Sequence, residues 1–171
     1  MDMSNVSADA LRAAIENEPR KAELHYLLGA ELAGQREYEG AAQEMGRALE
    51  LDPSLHTCRF QLGLLLLTMA LPDQARAVWS ALENLEATSP LWYFKRGLEA
   101  LIEDRFQDCI ACLRSGIELN DSNPALNGDM QMIIERVSTI LESAPAAAHP
   151  KESGEATAVR TDFSLYSSSR D

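Results

Sequence analysis

Three glycines stand 34 residues apart: Gly29, Gly63 and Gly97. A fixed period of this length means one supersecondary unit copied along the chain, and it constrains the fold more than composition does. The segments around them read HYLLGAEL, RFQLGLLL and YFKRGLEA. Twelve residues after each glycine comes a small residue, Ala41, Ala75 or Cys109. Sixteen after each comes a large one, Met45, Trp79 or Leu113. Pro19 and Pro53 keep the same spacing.

A helical hairpin accounts for the pattern. The glycine lets a second helix approach the first closely, and the small residue makes the reciprocal gap. The large residue is expected to fill the space between neighbouring hairpins, Trp79 included.

On these residues the chain resembles the tetratricopeptide repeat family. The stretch LHYLLGAELAGQREYEGAAQEMGRALELDP places Leu28, Gly29, Leu32, Tyr38, Ala41, Ala48 and Pro53 where that family has its signature residues. Later repeats depart from it. Pro72 stands where Tyr38 and Phe106 supply an aromatic, Arg96 replaces the Leu before the glycine, and Gly116 replaces the usual Ala. The resemblance covers residues 20–123, in repeats of about 22–55, 56–89 and 90–123. It implies an all-α, right-handed solenoid of about eight helices.

The ends read as caps, which a solenoid needs because an open end exposes apolar surface. In residues 1–19, Leu11, Ala14 and Ile15 fall in register with Met45, Ala48 and Leu49, as in the second helix of a half-repeat. In residues 124–143, Asn123 is expected to cap a helix that starts at Pro124. That helix carries Met130, Ile133, Ile134, Val137, Ile140 and Leu141 at helical spacing. Residues 144–171 are small, polar and broken by proline, a composition expected to be disordered. Within them DFSLY, Asp162 to Tyr166, is an apolar island. Phe163, Leu165 and Tyr166 are a candidate short motif.

The resemblance also implies that the first helix of each hairpin lines a concave groove. The matching positions are Tyr26, Phe60 and Phe94, then Leu64 and Leu98, then Leu67 and Leu101, with Ile102 beside them. Leu62 and Leu66 are expected to face the hairpin core. The groove so read is apolar and holds none of the Lys, Arg or Asn with which some family members clamp a peptide carboxylate. The expected function is therefore a non-enzymatic interaction module that binds an apolar helix or extended segment of a protein partner. Alternatives are a chaperone similar to the tetratricopeptide chaperones of bacterial secretion systems, and an assembly subunit. In the latter, the groove is filled by a second copy, as in a homodimer, or by the chain's own tail.

Charge excludes some partners. The formal net charge is −12. Three Lys/Arg and four Asp/Glu lie from residue 144 onward, so nearly all the excess sits in the body. Such a body repels nucleic acid and anionic lipid. No apolar run is long enough to span a membrane, and the N-terminus lacks a secretory pattern. Three cysteines are too few for a disulfide framework and fit a cytoplasmic protein.

No catalytic set, metal site or cofactor is expected. Cys109 and Cys112 have C-x-x-C spacing but no second ligand pair, and Cys109 holds the small-residue position. His25, His56 and His149 share no ligand spacing. Trp92 and Tyr93 are expected to pack against the second repeat. Arg96 is expected to pair with Glu99 or to stand in solvent, with a ligand anchor as the alternative.

Overall fold

A computed structural model describes residues 7–143. The tail and its DFSLY island lie outside the described residues, as does His149. Among the described residues there are eight α-helices, one 3-10 helix and no strand. They fall into two compact units that divide after Asn84.

The first unit holds α1 (Ala8–Asn17), α2 (Ala22–Gly34), α3 (Tyr38–Leu51), α4 (His56–Thr68), α5 (Pro72–Trp79) and the 3-10 helix Ser80–Asn84. The Ser7 hydroxyl accepts from the Ala10 amide at 3.3 Å and caps α1. Helix α1 packs on α2, α2 on α3, α3 on α4 and α4 on α5. Pro72 opens α5, where its missing N–H costs nothing. Helix α5 ends after eight residues and tightens into the 3-10 turn, which keeps Leu82 fully buried.

The second unit holds α6 (Pro90–Ile102), α7 (Phe106–Leu119) and α8 (Pro124–Ser143). Helix α6 packs on α7 and α7 on α8. The Asn123 side chain accepts from the Leu126 amide at 3.1 Å, so it caps α8 as expected.

Each hairpin is closed by one contact. A Cβ placed on Gly29 would lie 2.7 Å from Met45 Cγ and 3.0 Å from the Ala41 carbonyl oxygen. On Gly97 it would meet Leu113 Cδ2 at 2.6 Å and the Cys109 carbonyl at 3.2 Å. On Gly63 it would fall into the Trp79 indole. The large residue of each repeat therefore sits directly over the glycine of its own hairpin. This corrects the expectation that Met45, Trp79 and Leu113 fill a gap between hairpins. The absent side chain is the space that the large one takes.

The turns inside the hairpins also repeat. Arg36, Ala70 and Asp104, again 34 residues apart, have φ of 65°, 60° and 55°. In each, two amides turn back onto the end of the first helix. Arg36 donates to Ala33 and Glu37 to Leu32. Ala70 donates to Leu67 and Leu71 to Leu66. Asp104 donates to Leu101 and Arg105 to Ala100. This is the Schellman pattern, which satisfies carbonyls that a helix end leaves open. Glycine is the usual residue there, and the chain uses it in none of the three.

Candidate functional site

The expected groove residues divide by burial. Phe60, Phe94 and Leu98 have no exposed surface, Leu64 keeps 2% and Leu101 keeps 8%. Tyr26, Leu67 and Ile102 are half-buried. Among the described residues Leu119 is the one large apolar side chain that is exposed. The open apolar wall expected from the register is thus corrected: five of its positions are interior.

Local packing gives the reason for the two phenylalanines. The Phe60 ring stacks on Trp79 of the paired helix, with centroids 6.0 Å apart and planes 20° from parallel. The Trp79 Nε1–H donates to the Phe60 carbonyl at 3.0 Å. A Cβ on Gly116 would collide with the Phe94 ring, so that ring lies directly against α7. Gly116, read from the sequence only as a departure from Ala, is what admits it. The aromatic three residues before the repeat glycine therefore turns towards the hairpin seam.

Helix α4 has an interior stretch with no outward face. Leu62, Gly63, Leu64, Leu65 and Leu66 are all buried. At about 100° per residue, five successive positions go round the whole helix. Leu62 and Leu66 are interior as expected, but so are their neighbours. Leu67, at the C-terminal end of α4, is where the apolar run reaches the surface.

Helix α6 is arranged differently. Its seam with α7 runs through Phe94 and Gly97. Beside that seam Leu91, Lys95, Leu98 and Ile102 fall on one stripe, at the spacing of one helix face. Leu98 and Lys95 are buried, while Leu91 and Ile102 at the two ends are half-buried. Lys95 is 1% exposed, and its ammonium pairs with Glu99 at 3.1 Å. A lysine this buried needs such a partner. Sequence reasoning passed over Lys95 and offered Arg96 either Glu99 or solvent. Arg96 lies exposed, as the second of these has it, and over the Trp92 ring, 4.6 Å from its centroid. Trp92 meets Tyr93 edge-on at 4.9 Å. Four-residue spacing to Glu99 was the available signal for Lys95, and three-residue spacing to Arg96 competed with it.

The ionisable groups near these faces are set by burial and by their hydrogen-bond partners. Burial, followed by the nearby Cys58, pushes the Tyr26 phenol up to about 12. Burial likewise pushes the Cys58 and Cys109 thiols up to about 12. Cys58 Sγ donates to the Met45 carbonyl at 3.6 Å. Cys112 is half-buried. His25 is held between the Glu44 carboxylate at 2.7 Å and the Pro19 carbonyl at 3.1 Å, which ties α2 to α3. Among the described residues no three His, Cys, Asp or Glu side chains are grouped to hold a metal ion. Among them, too, no helix is long and apolar enough to cross a membrane.

These hairpins, each closed by a glycine under a large residue, define the fold: an all-α helical repeat of tetratricopeptide type. No family model matches the chain, and no curated protein matches it in sequence. Solved structures do match. "MamA RS-1 ArsTM double mutant" superposes with a TM-score of 0.54 at 16% identity, over 80% of this chain and 85% of that one. "MamA 41-end from Desulfovibrio magneticus RS-1" gives the same score and identity over 81% and 86%. At such identity the likeness concerns the fold.

Proposed function

We propose that this chain is a non-enzymatic protein-binding module that takes an apolar helix or extended segment of a partner protein. The partner meets the first-helix faces. Within the first unit the face offered is Tyr26 and Leu67; within the second, taken by itself, it is Leu91 and Ile102. Phe60, Leu64, Phe94, Leu98 and Leu101 form the packed floor that holds those edges in place. One observation carries the reading: the apolar interior of α4 and the apolar stripe of α6 each run out to half-buried large side chains. The solved structures of the same fold are consistent with it.

Affinity would come mainly from apolar burial, about 25 cal/mol per Å² before association costs. A preformed helical face lowers the ordering cost on one side.

The test is affinity capture from lysate with the full chain, beside Leu67→Asp and Ile102→Asp full chains whose helicity matches by circular dichroism. A partner held by the parent and lost by either variant supports the reading. Identical partner sets for all three chains overturn it.

A further inference from the structure

Resting on the protein-binding reading, we infer that the partner segment carries an Asp or Glu side chain among its apolar residues, and that Arg96, stacked on Trp92, is the anchor for that carboxylate.

The repeat shows where to look. Arg96 stands directly before the repeat glycine, where the other two hairpins have Leu28 and Leu62, both buried. In the third hairpin that place is charged and exposed. Chains depart from their own local rules mainly at functional positions.

The local geometry shows what the place can do. Arg96 lies over the Trp92 ring at 4.6 Å, and Trp92 is itself met edge-on by Tyr93. The stack holds a long side chain in one position, which lowers the ordering cost of binding. It engages the indole ring and no oxygen acceptor. Among the described residues, none of the Arg96 N–H groups donates to a carboxylate or a carbonyl. The acids closest beyond it in the chain, Glu99 and Glu103, already pair with Lys95 at 3.1 Å and with Arg105 at 2.9 Å. A guanidinium fork fits a carboxylate with two parallel hydrogen bonds. Arg96 is therefore a preset donor that is open to solvent.

Chemistry selects the occupant. The formal net charge of −12 repels a polyanion such as nucleic acid, and Arg96 offers one cation rather than a cluster. A single acidic side chain in an apolar segment escapes that repulsion, because exposed charges farther than about 8 Å away are largely screened. Trp92 directly follows the half-buried Leu91, so the stack borders an apolar edge that the partner is proposed to meet.

The experiment selects random dodecapeptides from a displayed library on the full-length chain. The best binder is then measured against the parent, Arg96→Gln, Leu67→Asp and Ile102→Asp full chains. Arg96 is exposed, so Arg96→Gln keeps the helicity of the parent. Selected peptides should carry Asp or Glu beside large apolar residues. Arg96→Gln should weaken the best binder roughly tenfold, and the amide version of the peptide acid should weaken it as much on the parent. The two changes together should cost no more than either alone. Peptides without an acidic residue, or an affinity that Arg96→Gln leaves unchanged, overturn the inference. If such peptides are still lost on Leu67→Asp or Ile102→Asp, the protein-binding reading stands without it. A library that yields no binder overturns both.

Discussion

Trp79 lies over Gly63 in the middle of the chain, and its indole N–H reaches across to the Phe60 carbonyl at 3.0 Å. A methyl group on Gly63 would occupy the space of the ring itself. Gly63→Ala should therefore destabilise the chain by about 1–3 kcal/mol, because overpacking outweighs the better helix propensity of Ala. Gly46 lies in the interior of α3, where a Cβ meets nothing within 4 Å. Gly46→Ala should stabilise by about 1 kcal/mol. Urea unfolding of the two variants reads the opposite signs.

Ala70 sits at φ 60° in the turn between α4 and α5. An L-residue pays about 1–2 kcal/mol there, while Gly pays more in the unfolded chain. Ala70→Gly should leave a net gain of about 0.5–1 kcal/mol in the same urea assay. A loss would mean that the turn draws support from the Ala70 methyl.

Burial holds the Cys58 and Cys109 thiols protonated far above neutral pH. Titration of the native chain with a thiol reagent at pH 8 should modify Cys112 first and leave the other two until denaturant is added. Rapid modification of Cys109 would return the C-x-x-C pair to consideration as chemistry.

Burial alone lifts the Asp129 carboxyl from an ordinary 3.8 to about 6. Between those values the folded chain holds a proton that the unfolded chain has released. This contribution to stability therefore falls as pH rises from about 4 to about 6. Asp129→Asn should remove that part of the pH dependence and raise Tm at pH 7.5 relative to the parent. An unchanged difference between the two chains from pH 4.5 to 7.5 would contradict it.

The sequence carries the hairpins openly because each depends on a side chain that is missing and another that is large. Gly29 with Met45, Gly63 with Trp79 and Gly97 with Leu113 leave a 34-residue trace. The direction of Phe60 and Phe94 was harder to read. Periodicity groups residues by helix face but does not say which neighbour closes that face, and here Trp79 and Gly116 do so. The Schellman turns were hidden because Arg36, Ala70 and Asp104 lack the glycine that usually marks them. Of the expected groove positions, Tyr26, Leu67 and Ile102 are half-buried, and the proposed site is built on them. Lys95 was missed, since a charged residue in a helix reads first as a solvated one.

The most direct test of protein binding at the first-helix faces is photo-crosslinking in living cells. A benzophenone side chain is placed at position 67 or 102 of the full chain, and at exposed Arg47 on α3 as the comparison. The account predicts a discrete partner adduct from 67 and 102 and none from 47. Adducts from 47 alone, or the same adducts from all three positions, would contradict it.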